Sequence, residues 1–209
     1  MGEYQTLLHT LALTMGVAWA SGINLYAAVA VLGLAGNAGY VQLPDTLAIV
    51  EDPLVIVAAC FMYCVEFFAD KIPGVDSTWD ALHTFIRIPA GAMLAAGAVG
   101  DVTPALAVTA GLLGGSVTAA THATKAGTRM LINTSPEPFS NWFASITEDL
   151  AVFAGLWAAL AHPAIFLILL TLFLLSLCWL LPKVWRGLKA VLRKIAALFG
   201  RRPENPSPV

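Results

Sequence analysis

The amino-acid sequence predicts an all-α, polytopic membrane bundle with about six transmembrane helices and a basic amphipathic helix at the C-terminal end. Three observations predict this fold class. Hydrophobic residues make up 58% of the 209 positions and charged residues 11%, and the mean hydropathy is +0.78, which is too apolar for an ordinary soluble domain. The apolar residues form runs close to the roughly 20 residues that cross a bilayer. Seven of the eleven Lys and Arg residues follow position 182.

The first apolar run covers residues 7–35, and Ser-Gly-Ile-Asn at 21–24 interrupts it. This run predicts either one long bent helix or two shorter pieces, and both readings stay open. Residues 36–53 contain Gly, Asn, Pro and acidic side chains, a composition that is typical of an external loop.

The second and third spans are expected at residues 53–69 and 76–100. Pro53 is well placed to open the second span, because proline is favoured in the first turn of a helix. The turn at 70–75, Asp-Lys-Ile-Pro-Gly-Val, separates the two spans. Pro89 is the expected kink of the third span.

The fourth span follows residue 104 and is rich in Ala, Gly and Thr. Small residues let helices approach closely, so we expect this helix at the centre of the bundle. After a polar turn at 133–138, a fifth span runs to residue 161. A sixth span, 164–181, contains no charge and is expected at the lipid-facing edge.

The chain is divided by this pattern into a transmembrane domain, a surface helix and a tail. The transmembrane domain covers 1–182, a cytoplasmic amphipathic helix 183–200, and a disordered tail 201–209. The bases of the surface helix predict contact with anionic lipids, at about 1 kcal/mol for each Lys or Arg near the surface.

The distribution of bases predicts the topology. Lys71 and Arg129 lie beside the two polar turns, and the other three connections between spans contain no Lys or Arg. The positive-inside rule then places both polar turns, the N-terminus and the C-terminus in the cytoplasm.

Ionisable residues recur at helical intervals inside these apolar spans, which is the main functional clue. Spacings of three and four residues put the members of each set on one stripe of a helix. A charge near the bilayer centre costs about 2.5 to 3.5 kcal/mol, so such residues face the bundle interior and pair there. The stripes are Glu66 and Asp70; Asp76, Asp80, His83 and Arg87; Thr118, His122, Lys125 and Arg129; and Asn141, Ser145 and Glu148.

These stripes allow several kinds of chemistry. Residues 54–160 hold eight acids against four bases, which favours cations or protons as the species handled. Carboxylate and imidazole groups are ligands of divalent metals, and the candidate ligands of such an ion are Glu66, Asp80, His83 and Glu148. The proton-relay candidates are His83 and His122 together with Glu148 or Asp149.

Three further candidates follow from the bases and from the first span. Arg87, Lys125 and Arg129 would balance charge or hold an anion, and Lys125, Arg129 and His83 could cradle a phosphate such as a lipid headgroup. Asn24 could supply an amide at a helix break, where transporters place substrate contacts. A helix-packing hydrogen bond explains Asn24 equally well.

Three segments resemble a known bacterial membrane family. They are EFFADKIPGVDSTWDALHTFIRIPAG at 66–91, THATKAGTR at 121–129 and NTSPEPFSNW at 133–142. The chain is similar here to the domain of unknown function 4126 family, over roughly residues 21 to 163. The resemblance implies a bacterial inner-membrane protein and no established activity.

The interpretation favoured by the sequence is a small inner-membrane transporter or channel. Its polar site would lie between helices two to five and handle a cation or a proton-coupled small solute. Two alternatives stay open: a protein that binds phospholipid headgroups, and a structural module whose ion pairs only fix helix register. Enzyme motifs are absent from the sequence. We expect a homo-oligomer in the lipid bilayer, no nucleic-acid partner, and no cofactor beyond the candidate divalent ion.

Overall fold

A computed structural model describes residues 2–134 and 138–199, with side chains described at 2–134, 139–180, 183 and 186. This part of the chain is all-α, with one short 3-10 helix and no strand. The helices in chain order are α1 Glu3–Asn37, the 3-10 helix Asp45–Glu51, α2 Pro53–Ala69, α3 Val75–Ala98, α4 Pro104–Ile132, α5 Pro138–Ala161 and α6 Pro163–Phe199.

Prolines and a glycine set most of the helix starts. Proline opens four of the helices, at a position where its missing N–H leaves no hydrogen bond unmade. Asp52 also caps α2, since its carboxylate accepts a hydrogen bond of 2.8 Å from the Leu54 N–H. Gly74 ends the α2–α3 turn with φ +86°, a conformation that glycine adopts without strain.

The described residues fall into two compact units, divided between Leu167 and Ile168. In the first unit α1 is the central helix, because it contacts α2, α3, α4, α5 and the 3-10 helix. The expectation that α4 takes this place is wrong. α4 packs on α1 and α3 but exposes Leu112, Leu113 and Met130 on its other side. α1 can be surrounded because its buried residues are mostly Ala and Gly.

α1, α3 and α4 approach most closely around Thr118. The Thr118 hydroxyl donates a hydrogen bond of 2.8 Å to the Ala18 carbonyl of α1. A Cβ atom added at Gly22 would lie 2.6 Å from the Thr118 carbonyl oxygen, and one at Gly91 would lie 2.7 Å from Thr118 Cγ2. Glycine is therefore required at both positions for these three backbones to approach this closely.

α1 is broken at Asn24. The backbone there has φ −147° and ψ 98°, which lies outside the helical region. The Asn24 side chain accepts a hydrogen bond of 2.9 Å from the Ala27 N–H, as a helix N-cap does. Of the two readings of the first span, the structure supports two helical pieces joined at Asn24.

Four described helices are long and apolar enough to cross a membrane: α1, α4, Phe139–Ala161 and Pro163–Leu180. A fifth candidate is the 3-10 helix with α2, a pair bent by 62°. α3 is not among them, because polar residues such as His83 and Arg87 lower its hydropathy. It nevertheless buries Asp80 and Arg87 and exposes Leu82, Phe85 and Met93. The apolar helices mark a membrane protein.

α6 continues through Pro182 as one helix, whereas the sequence predicts a separate surface helix from residue 183. A proline inside a helix removes one hydrogen bond and can kink the helix without ending it. Lys183 and Arg186 are exposed, and the Lys183 ammonium lies 3.0 Å from the centre of the Trp179 ring. The predicted tail at 201–209 lies outside the described residues.

Candidate functional site

Seven charged residues from four helices form one continuous set of ion pairs, which we call the ion-pair network. All but one have relative exposures of 4% or less, and the exception, Glu148, has a side chain 18% exposed. The stripes predicted from the sequence therefore do meet inside the protein. The network consists of Glu66 and Asp70 from the C-terminal end of α2, Asp80 and Arg87 from α3, Lys125 and Arg129 from α4, and Glu148 from α5.

Arg87 is the centre of the deeper part of the network. Its guanidinium donates to Glu66 Oε1 at 2.5 Å and to Asp80 Oδ1 at 3.2 Å. Lys125 Nζ lies 3.1 Å from the same Glu66 oxygen and 3.6 Å from Asp80 Oδ1. Arg87 lies twelve residues after the start of α3, roughly 18 Å along the helix axis, and its guanidinium reaches back to Asp80, seven residues nearer the α2–α3 turn.

Arg129 organises the part of the network near the polar turns. Its guanidinium donates to Glu148 Oε2 at 2.6 Å and lies 3.6 Å from Asp70 Oδ2. It also donates to the Asp70 and Asn141 backbone carbonyls, at 2.9 and 3.0 Å. Lys125 links the two parts, because its ammonium lies 2.7 Å from Asp70 Oδ2 as well as contacting Glu66.

The network contains more acids than bases. Its four carboxylates face three cations, which leaves a formal charge of −1. Each of the four carboxylates uses only one oxygen in the ion pairs. Three of the second oxygens, Glu66 Oε2, Asp70 Oδ1 and Asp80 Oδ2, are buried and have no hydrogen-bond partner among the described residues.

The break in α1 lies directly against the network. Lys125 Nζ donates a hydrogen bond of 3.1 Å to the Ile23 carbonyl, which precedes the non-helical residue. The Asn24 amide donates to Asp149 Oδ1 at 3.2 Å. Asn24 is therefore a structural part of the break and the contact between α1 and α5, as the sequence allowed, and Asp149 pairs with it instead of joining the ion pairs.

His122 borders the network through both ring nitrogens. Nδ1 lies 3.3 Å from Arg87 Nη1, and Nε2 lies 3.1 Å from the Asp80 carbonyl and 2.7 Å from the Thr84 hydroxyl. Because a guanidinium only donates, Nδ1 accepts and the proton sits on Nε2. A neutral imidazole is the form that fits between these partners.

His83 faces α1, away from the carboxylates. Its Nδ1 donates to the Trp79 carbonyl at 2.9 Å, and its Nε2 lies 3.1 Å from the Tyr26 hydroxyl. The imidazole stacks on the Trp79 ring with 4.1 Å between centroids. In this arrangement His83 and Asp80 do not share an ion, although they are one turn apart.

Asp76 and Asn141 belong to a separate hydrogen-bonded group that joins the α2–α3 turn to the end of α4. The Asn133 amide donates to both Asp76 oxygens at 2.9 Å, and the Asn141 amide donates to Asn133 Oδ1 at 2.8 Å. Asp76 also accepts from the Gly74 N–H at 2.9 Å. These two predicted site residues thus hold connections between helices.

Lys71 is buried beside this end of the bundle without a carboxylate within ion-pair distance among the described residues. Its ammonium donates to the Phe67 carbonyl at 3.0 Å and to the Ser145 hydroxyl at 3.2 Å. It also lies 2.9 Å from the centre of the Phe67 ring. Burial lowers the pKa of Lys71 from its ordinary value.

Two candidate sites from the sequence are not assembled. Within residues 2–134 and 138–199, no group of three or more His, Cys, Asp or Glu side chains can hold a metal ion. The ligand candidates are occupied otherwise, because Glu66, Asp80 and Glu148 pair with bases and His83 faces Tyr26. The phosphate cradle is also not open, since Lys125 and Arg129 are buried against carboxylates.

Four contributors were not predicted from the sequence: the Ile23 carbonyl, the Thr84 hydroxyl, and the Tyr26 and Asn133 side chains. A backbone carbonyl carries no sequence signal of its own, and Tyr26 lies in an apolar run without a charged neighbour. Thr84 follows Asp80 by four residues and precedes Arg87 by three, so this helical spacing was an available signal. Asn133 does begin the third resembling segment, which was the available signal.

Comparison with known proteins gives a family and no activity. No curated protein and no solved structure matches the chain. A family model described as a domain of unknown function matches residues 11–183. This range includes the whole ion-pair network, the broken helix and the polar turns. The match confirms the resemblance in the sequence, and the chain belongs to the domain of unknown function 4126 (DUF4126) family.

Proposed function

We propose that this protein is a small inner-membrane transporter that exchanges protons for a cation, with the ion-pair network as its site. The observation that carries the proposal is the surplus of one carboxylate in a network of seven charges, six of them buried. A buried charge without a partner is costly because it has lost its hydration. The network is therefore most stable when it also holds one proton or one monovalent cation.

The partnerless oxygens of Glu66, Asp70 and Asp80 support such occupancy. A buried carboxylate oxygen without a partner is costly, whereas a bound proton or cation satisfies it. A site that needs one positive charge, and can take it from either a proton or a cation, meets the minimal requirement for exchanging protons for that cation.

The position of the network also supports transport. Glu148 is the most exposed member, with a side chain 18% exposed, whereas the Arg87 and Glu66 side chains are fully buried. In the proposed topology six spans cross the membrane, α3 included, and both termini and both polar turns face the cytoplasm. Protons would reach the network from the cytoplasm at Glu148. The broken α1 adds the unwound backbone that transporters use near their sites.

A purely structural role explains the surplus acid less well. Buried ion pairs stabilise a protein poorly compared with apolar packing of the same volume. A set of pairs whose only task is helix register would be expected to balance its charges, because a balanced set avoids the cost of the extra carboxylate.

The test is proton flux in liposomes that enclose a pH-sensitive dye. Gradients of sodium, potassium and organic monovalent cations are imposed one at a time. We expect at least one cation to drive a protein-dependent pH change that Glu66→Gln abolishes, because this variant removes the surplus charge and keeps an oxygen for Arg87.

The matched control is Asp101→Asn, which neutralises an exposed acid in the connection between α3 and α4 and is expected to transport normally. If no cation drives a flux that depends on Glu66, the transport proposal is wrong. A lower melting temperature of Glu66→Gln in that case would establish the structural role.

A further inference from the structure

An open apolar cavity of about 350 Å³ lies between α1, α2 and α3. It forms because α2 and α3, although consecutive, contact each other little and pack on α1 instead. The lining residues are apolar except for the Tyr26 hydroxyl. They include Tyr26 of α1, Ala58 and Met62 of α2, and Ala90 and Met93 of α3.

The helix faces that line this cavity continue towards the ion-pair network. Residues four apart lie on the same face of a helix, so the face of α2 that lines the cavity at Met62 continues to Glu66. On α3 the lining residue Ala90 is three residues from Arg87. Tyr26 lines the cavity from α1, and its hydroxyl contacts His83 at 3.1 Å.

We propose that the exchanged cation is lipophilic and organic, and that it reaches Glu66 sideways from the membrane through this cavity; the inference rests on the proposed function. The volume falls within the roughly 300 to 1,000 Å³ of small-molecule sites. The apolar wall, with the adaptable side chains of Met62 and Met93, would contact the apolar part of the cation. The surplus carboxylate would pair with its positive charge.

Two other possible occupants of the cavity would satisfy either the apolar wall or the surplus negative charge, but not both. A phospholipid acyl chain would fill the apolar wall and leave the surplus negative charge uncompensated. An inorganic cation would compensate the charge but would have to cross an apolar cavity without its hydration shell. A cation with an apolar surface meets both requirements.

Exchange follows from competition for one negative charge. Binding of one cation releases one proton from a carboxylate oxygen to water, and protonation expels the cation. Where the network holds the proton in the absence of the cation, the cation should therefore bind about tenfold more weakly for each unit by which the pH falls, because each bound cation displaces one proton.

The experiment measures binding of tetraphenylphosphonium to the purified full chain by equilibrium dialysis between pH 5 and 8, with proton release followed in weak buffer. Two variants fill the cavity, Ala58→Phe and Ala90→Phe. Ala58 is exposed and lines the cavity, so the larger ring needs little repacking. We expect each variant to weaken binding at least about tenfold.

The matched control is Val57→Phe, one position along α2, whose side chain is exposed and does not line the cavity. It should bind normally. Glu66→Gln should bind weakly and lose both the proton release and the pH dependence, while circular dichroism and melting temperature report that it is folded.

The outcomes separate the inference from the proposed function. If sodium or potassium releases protons in a manner that depends on Glu66 and tetraphenylphosphonium does not, exchange stands and the lipophilic substrate is wrong. Equal binding by Ala58→Phe, Ala90→Phe and Val57→Phe also overturns the cavity route. A co-purified phospholipid that only the cavity variants lose, without tetraphenylphosphonium binding, assigns the cavity to lipid instead. If no cation releases protons, both proposals fall.

Discussion

Asn24 and Asp149 lie 125 positions apart in the chain and are joined by a hydrogen bond of 3.2 Å at the break of α1. The same asparagine caps the second piece of α1 through the Ala27 N–H. One amide thus fixes both the local geometry of the central helix and its contact with α5.

The double role of Asn24 predicts a specific loss of stability. Asn24→Ala removes the cap and the Asp149 contact, and it should lower the free energy of unfolding by about 1 to 2 kcal/mol. Asn37→Ala, at the exposed end of the same helix, is the control; it removes only an exposed hydrogen bond of 3.2 Å to the Glu51 carbonyl and should change the free energy of unfolding by less than about 0.5 kcal/mol. Unfolding in detergent measures both, and equal effects would contradict the role of the break.

The acid surplus predicts that the network tolerates loss of an acid better than loss of a base. Arg87→Gln removes the closest cation of both Glu66 and Asp80 and leaves them to share Lys125, so it should lower the free energy of unfolding by about 3 to 5 kcal/mol. Glu66→Gln leaves three acids and three bases in the network and should lower the free energy of unfolding by less than about 1.5 kcal/mol. The double variant Glu66→Gln, Arg87→Gln should recover part of the stability that Arg87→Gln alone loses. A greater loss from Glu66→Gln than from Arg87→Gln would refute the charge count.

The close approach of α1, α3 and α4 predicts opposite effects of one substitution at two glycines. Gly91→Ala places a methyl group against Thr118 and should destabilise the protein by about 1 to 3 kcal/mol. Gly127→Ala, on an open face of α4 with nothing within 4 Å, should stabilise it by about 0.5 to 1 kcal/mol. Melting temperatures of the two variants, measured side by side, check the sign of each effect.

The buried Lys71 predicts a pH dependence of stability. Its pKa is lower in the folded protein than in the unfolded chain, so between these two values the unfolded state binds more protons. Stability from this group therefore rises with pH as the pH passes through the folded pKa towards the unfolded value of about 10.4. Lys71→Met should remove this rise. Melting temperatures between pH 7 and 10 test it, and parallel curves for the two proteins would contradict it.

The sequence predicted which faces are polar because the geometry of a single helix fixes them. At 100° per residue, Asp80 and Arg87 lie within roughly 20° of each other, and His83 lies roughly 60° to one side. That offset is enough to turn His83 from the carboxylates towards Tyr26 of α1. The helical stripe was visible in the sequence, but the identity of the neighbouring helix was not.

Pairing across helices was not predictable because it depends on how the helices are rotated and shifted against one another. Contacts such as those of Gly22 and Gly91 with Thr118 set this register. A small residue in the sequence does not indicate which helix it will contact. Asp76 shows the consequence. It continues the stripe of Asp80 and Arg87 in the sequence, yet it bonds to Asn133 at the turn.

The span of the ion-pair network along the chain has a consequence for biosynthesis. Glu66 and Glu148, at its two ends, flank Lys125 and Arg129, so a nascent chain that stops after α4 presents Arg129 without its closest acid. The ion pairs of α4 are therefore complete only once α5 has been inserted, and chains that end after α4 should be degraded in the membrane faster than the full chain.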